Sequence, residues 1–172
     1  MSRRLSPLLA TCFMLAAATL SGCADYKFTV NDQVVYNPAP LFKDFDVPDA
    51  PLRDCLKQHI ADASVTAADQ LTELNCSHAG VASLEGLQVF TRLVRLKLSN
   101  NAIDSVVPLA NTVGLKELYL DGNQLRNIMP LRGLPELEYL NLGQNADLVC
   151  MQLDFFKRKP RLELVSPGHC PG

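Results

Sequence analysis

The side chains of this chain that could do chemistry are few and scattered. Its three histidines are His59, His78 and His169, and none has a nucleophile at a catalytic spacing; Ser77-His78 is a chance neighbour pair. His169-Cys170 together with Cys150 could ligate a metal, but two disulfides account for Cys55, Cys76, Cys150 and Cys170 with fewer assumptions. Asp121-Gly122-Asn123 is similar to a fragment of a calcium loop and is explained better as a turn. Lys157-Arg158-Lys159 reads as a solvated basic loop, with contact to anionic lipid or lipopolysaccharide as the alternative. These residues give no catalytic or metal site and call for no cofactor. What remains is recognition, which depends on the elements that set side chains side by side.

Those elements repeat. Leu71, Leu93, Leu115 and Leu137 are each 22 residues apart, and Leu74, Leu96, Leu118 and Leu140 keep the same interval, as do Cys76, Leu98, Leu120 and Leu142. Counting each unit from its first leucine as place zero, place eight holds Ala79, Asn101, Asn123 and Asn145, and place sixteen holds Leu87, Leu109, Leu131 and Leu153. A 22-residue unit cannot bury an apolar face alone, so the units must stack. LxxLxL turns alternate residues inward, which suits a short strand, and successive units should pair as parallel strands over one leucine core. The asparagines carry donors and an acceptor for backbone groups where the chain leaves the strand. Pro108 and Pro130 suit the start of a 3-10 turn on the return side.

The ends bound the class. Met1 to Gly22 has Arg3 and Arg4, an apolar run from Leu8 to Leu20 and then small residues, which reads as an export signal. Leu20-Ser21-Gly22-Cys23 resembles the lipobox of bacterial lipoproteins. The resemblance implies cleavage before Cys23, acylation of that cysteine and, with Ala24 rather than aspartate next to it, an outer-membrane address; an ordinary secreted protein or an uncleaved anchor is the alternative. Removal of residues 1–22 leaves 150, enough for one domain, and takes two basic residues, so 14 minus 18 gives a net charge of −4. That balance argues against nucleic acid as a partner.

Residues 24–48 hold Lys27-Phe28-Thr29-Val30 and Gln33-Val34-Val35-Tyr36 around Asn31-Asp32, a hairpin or an extended tether, followed by Pro38, Pro40 and Pro48. The segment is read as a linker from the membrane, with docking of Phe28, Tyr36, Phe42 and Phe45 on the domain as the alternative. Residues 49–61 predict a helix capped by Asp49 with Leu52, Cys55, Leu56 and Ile60 on one face, and Thr66 with Asp69 predicts a capping box. These elements should cover the open first rung of the stack.

The runs Leu93-Val94-Arg95-Leu96-Lys97-Leu98-Ser99-Asn100-Asn101-Ala102-Ile103 and Leu115-Lys116-Glu117-Leu118-Tyr119-Leu120-Asp121-Gly122-Asn123-Gln124-Leu125 resemble leucine-rich repeats. The 22-residue length and the helical cap are similar to the internalin-like bacterial subclass. The resemblance covers residues 49–165 and implies an α/β solenoid with 3-10 or turn segments on its convex side. It is specific for fold and says little about ligand. The outer units depart from the pattern: Cys76 and Ala79 in the first, Asp147 and Cys150 in the fourth. Leu162 and Leu164 follow Leu140 and Leu142 by 22, so Arg161 to Val165 reads as a fifth, edge strand. The expected organisation is a signal at 1–22, an acylated tether or hairpin at 23–48, a helical cap at 49–70, four repeats at 71–158 and a fifth strand with C-terminal cap at 159–172. With the rungs so placed, Cys55 faces Cys76 and Cys150 leaves rung four near Cys170, which predicts those two pairs.

The outward residues then form columns. The first is Glu73, Arg95, Glu117, Tyr139 and Arg161; the second Asn75, Lys97, Tyr119, Asn141 and Glu163; the third Ser77, Ser99, Asp121, Gly143 and Val165. Adjacent strands lie about 4.8 Å apart, so Glu73, Arg95 and Glu117 should form an alternating-charge ladder. Glu73, Arg95, Lys97, Glu117, Tyr119, Asp121, Tyr139, Asn141 and Arg161 are the candidate ligand-binding residues, with the tyrosines as anchors. One reading is a monomeric, membrane-anchored module that binds a protein or glycan on this concave face. The other is a structural or housekeeping envelope lipoprotein whose charges merely satisfy one another.

Overall fold

The computed structural model describes residues 28–30, 33–36 and 39–171. The expected export signal and Cys23 lie outside the described residues. Two units are distinguished, one up to Ala39 and one from Pro40. In the first, β1 (Phe28–Val30) and β2 (Gln33–Tyr36) pair antiparallel.

The second unit is a solenoid. Its strands β3 (Glu73–Asn75), β4 (Arg95–Lys97), β5 (Glu117–Tyr119), β6 (Tyr139–Asn141) and β7 (Glu163–Val165) form one parallel sheet in chain order. The inward leucines Leu74, Leu96, Leu118 and Leu140 are in register and essentially inaccessible to solvent. Each buried leucine contributes about 1.5–3 kcal/mol relative to exposure, before the entropy of ordering it. The chain returns through 3-10 segments at Leu87–Val89, Val107–Leu109 and Met129–Gly133, the last two opened by Pro108 and Pro130 as expected. Leu87, Leu109 and Leu131 from these segments close the core on the side away from the sheet.

The asparagines at place eight do more than hold their own turn. Asn123 accepts from the Ile103 N–H at 3.1 Å and donates to the Leu98 and Leu120 carbonyls at 3.0 and 2.9 Å, so it ties rung three to rung two. Asn101 and Asn145 bridge to the preceding rung in the same way. Ala79 stands where asparagine is missing because no repeat precedes its rung. The place before each of these is left-handed: His78, Asn100, Gly122 and Gln144 have φ of 58, 56, 66 and 58°. Gly122 is the residue suited to that turn, while His78, Asn100 and Gln144 adopt it under the constraint of the rung.

The helix α1 (Ala50–Asp62) seals the first rung with buried Leu52, Leu56 and Ile60. Asp49 caps it, accepting from the Leu52 N–H at 2.8 Å, and its second carboxylate oxygen takes the Ala82 and Ser83 amides at 3.0 and 3.1 Å. The expected Thr66 and Asp69 capping box is not formed: the Gln70 side chain takes the Thr66 N–H instead, because the turn at Ala68–Gln70 is 3-10 and brings residue 70 within reach. Part of the expected tether belongs to the solenoid. Phe42 and Phe45 pack on the buried Phe90 with ring centroids 6.0 and 5.7 Å away, and Gly86, at φ 94°, lets the backbone of Asp46 and Val47 approach where a Cβ would clash.

The last unit departs from the 22-residue interval. Tyr139 pairs with Glu163, Leu140 with Leu164 and Asn141 with Val165, an offset of 24. Its return segment is a 3-10 turn at Cys150–Gln152 running into an α-helix, α2 (Leu153–Lys157). An α-helix advances about 1.5 Å per residue against about 2.0 Å for 3-10, so the same span takes more chain. The strand therefore begins at Glu163 rather than Arg161. Lys157-Arg158-Lys159 is solvated at Lys157 and Arg158 but is tied down at its ends: Lys157 closes α2 and donates to the Pro171 carbonyl at 2.8 Å, and the half-buried Lys159 donates to the Leu134 carbonyl at 2.7 Å, where burial holds its ammonium below the usual lysine range.

Candidate concave recognition face

The outward columns of β3 to β6 stand as their spacing requires, with one correction at the end. The 24-residue offset removes Arg161 from the first column, which reads Glu73, Arg95, Glu117, Tyr139 and Glu163; Val165 moves into the second. Arg161 is exposed outside the strand.

The ladder in the first column is asymmetric. Arg95 donates through Nε and Nη2 to both oxygens of Glu117, each at 2.7 Å, and through Nη1 to Glu73 at 3.0 Å. The bidentate pair fixes the guanidinium plane in a way the single contact does not. The Arg95 hydrogen bonds hold the Glu117 carboxyl below the usual carboxylate range, and the same contacts keep Arg95 protonated beyond an ordinary guanidinium. Glu117 also accepts from the Tyr119 hydroxyl at 3.2 Å, which links the first column to the second.

Tyr119 and Tyr139 come from different columns and meet on a diagonal, their ring centroids 4.8 Å apart. Lys97 places its Nζ 5.2 Å from the Tyr119 ring centre. Burial, followed by the Glu117 charge, raises the Tyr119 hydroxyl pKa; burial, followed by Glu163, Asp121 and Glu117, raises that of Tyr139. In the third column Ser99 donates to Asp121 at 2.6 Å. Asn141 turns its carbonyl oxygen to the Gly143 amide at 3.0 Å. A cleft of about 340 Å³ runs beside this face where α1 meets the first two strands, lined by His59, Ala63, Glu73, Asn75, Arg95 and Lys97.

The titratable groups that could have carried catalysis have structural surroundings. His59 Nε2 lies 2.9 Å from the Asn75 carbonyl, at the edge of the first strand. His78 is a left-handed turn residue. His169 falls, by the 24-residue offset, where the repeat's asparagine would stand, and its Nε2 lies 3.1 Å from the Leu148 carbonyl. Among the described residues one cluster brings three metal donors together, Cys150, His169 and Cys170, and its two sulfurs are joined to each other. Cys55 is joined to Cys76 in the same way at the other end. The diagonal tyrosine contact and the preference of Arg95 for Glu117 over Glu73 were not foreseen; the two-column spacing of aromatics on adjacent rungs was the available signal.

No protein-family model matches the chain, and no curated protein matches it. Solved structures similar to it include two internalins. One is an internalin (inlF) of Listeria monocytogenes, 26% identical, with a TM-score of 0.59 over 70% of this chain and 43% of that one. The other is internalin C2 of the same organism, 23% identical, with a TM-score of 0.56 over 70% of this chain and 65% of that one. The chain thus spans less than two thirds of either neighbour's length. Five in-register parallel strands, the bridging asparagines, the helical cap and these neighbours together establish the architecture as a short leucine-rich-repeat solenoid.

Proposed function

We propose that the solenoid is a macromolecule-recognition module that takes a protein partner on its concave face, tethered to the bacterial envelope through the lipid expected at Cys23. The observation that carries the reading is the contact between the tilted Tyr119 and Tyr139 rings, partly exposed at the centre of a sheet whose backbone is already paired and whose Arg95 ladder is already formed. Side chains held before binding lose little entropy when a partner arrives. Five strands give a face about 20 Å across, which suits a transient or modest interface rather than a large obligate one. The likeness to internalins supports a binding role, and we assign no reaction to the chain.

The structural-lipoprotein reading has one observation in its favour: Glu73, Arg95 and Glu117 satisfy each other without a ligand. That ladder also shapes the test. Reversing Arg95 would place three carboxylates together, so the informative variant leaves it intact. A photo-crosslinking residue at Asn141 in intact cells should capture a partner in the wild type and lose it in Lys97→Glu with Tyr119→Ala, with the melting temperature held. An unaltered set of products, or none in either protein, would support the structural role. Digestion of intact cells by external protease then reports which side of the envelope the face occupies.

A further inference from the structure

We propose that the C-terminal half of the concave face recognises a basic segment of a protein partner, with a lysine or arginine side chain lying against the Tyr139 ring. The inference rests on the recognition reading above and adds the chemistry of the partner. The two halves of the face differ in how their charges are met. In the N-terminal half Arg95 is committed to Glu73 and Glu117, and Lys97 stands over Tyr119. In the C-terminal half the register sets Glu163 beside Tyr139 on the next strand, and Asp121 follows Tyr119 by two residues, just past the end of β5. The ion pairs among the described residues are Arg95 with Glu73, Arg95 with Glu117, and Arg126 with Asp147, so Asp121 and Glu163 have no counter-ion.

Gly143 is the neighbour of Asp121 in the third column, and a Cβ there would reach within 3.7 Å of the Asp121 Cβ. With no side chain at Gly143, the nearest group there is the Asn141 side-chain carbonyl oxygen, 3.3 Å from that position, so this flank of Asp121 meets an uncharged acceptor and, among the described residues, no cation. The result is an aromatic pair with one ring already facing an internal cation and the other bordered by carboxylates. An aromatic face flanked by uncompensated carboxylates attracts a cation through the ring quadrupole and through charge. An acidic or wholly apolar partner would instead press unpaired carboxylates into a dry contact, which is unfavourable.

The experiment is a random peptide library panned against the purified full chain, with counter-selection on a Tyr119→Ala/Tyr139→Ala chain of unchanged melting temperature. The expected result is enrichment of lysine and arginine in the selected peptides, with binding weakened about 10-fold by Asp121→Asn/Glu163→Gln. Tyr139→Phe should retain binding, since its ring keeps the quadrupole, whereas Tyr139→Ala should not. Selected peptides that are acidic or apolar, or that ignore Asp121→Asn/Glu163→Gln, would overturn this proposal and leave the recognition reading standing. Failure to obtain any peptide that separates wild type from the double-tyrosine variant would overturn both.

Discussion

At the N-terminal end of the solenoid the first strand meets a 13-residue helix carrying three buried apolar side chains, and Phe42 and Phe45 cover Phe90 beside it. At the C-terminal end the same task falls to a five-residue helix, a tail and two lysines that reach backbone carbonyls, while Leu162 and Leu164 stay partly exposed. Both ends carry a disulfide. The difference shows two ways of ending a repeat stack: a separate amphipathic cap over the first rung, or a final unit altered until it can face water. The second is the less thorough, because α2 buries only Leu153 and Phe156 and polar reach supplies the rest, each hydrogen bond adding only about 1 kcal/mol net.

Leucine truncation tests that contrast most directly. Leu56→Ala, in the fully buried face of α1, should cost about 3–4 kcal/mol by urea denaturation, the range for a buried leucine whose site cannot collapse. Leu164→Ala on the last strand should cost less, about 1–2 kcal/mol, since that side chain packs on the core but is only partly buried. Equal losses would mean that the two ends are sealed alike.

The disulfides sharpen the same comparison because their loops are nearly matched, with sequence separations of 21 and 20. Loop-closure entropy then assigns each about 3 kcal/mol. Replacing Cys55 and Cys76 by serine, or Cys150 and Cys170 by serine, should lower global stability by similar amounts. Hydrogen exchange should tell them apart: the C-terminal pair should release β7 and α2 while β3 to β5 stay protected, whereas the N-terminal pair should leave α1 packed through its apolar face. A larger opening at the N-terminal end would reverse the ranking of the two caps.

Much of this was legible in the chain and some was not, for identifiable reasons. The leucine interval announces core, strands and register together, because a stacked unit puts every equivalent residue in the same surroundings. The cysteine pairs followed from that placement. The interval fails after Phe156, where an α-helical return replaces a 3-10 one; that exchange moved Arg161 out of the face and shifted Glu163 from its second column to its first. Also hidden were contacts made by side chains reaching across the fold, such as Asp49 to the Ala82 amide and Lys159 to the Leu134 carbonyl. On the concave face the columns were readable from alternation alone. The choices within them were not: which carboxylate Arg95 prefers, and that Tyr119 leans to Tyr139 across columns, depend on side-chain conformations that spacing does not encode.

The smallest of the expected effects concerns the ladder that joins the first three rungs and has no counterpart in the last two. Glu117 titrates below its usual value of 4.5 in the folded chain, chiefly because Arg95 donates to it. A carboxylate with a depressed folded pKa binds fewer protons folded than unfolded between the two values, so its stabilisation is complete above about pH 4.5 and is lost as pH falls through the folded pKa. Glu117 is partly exposed, so the contribution is modest and screened by salt. Denaturation midpoints measured from pH 6 down to about pH 2.5 should therefore fall more steeply for wild type than for Glu117→Gln. Added salt should shrink that gap. Glu163→Gln, at the other end of the same column and without an ion pair, should leave the wild-type slope in place; if instead it flattens the curve as Glu117→Gln does, the charge asymmetry between the two halves of the face is not real.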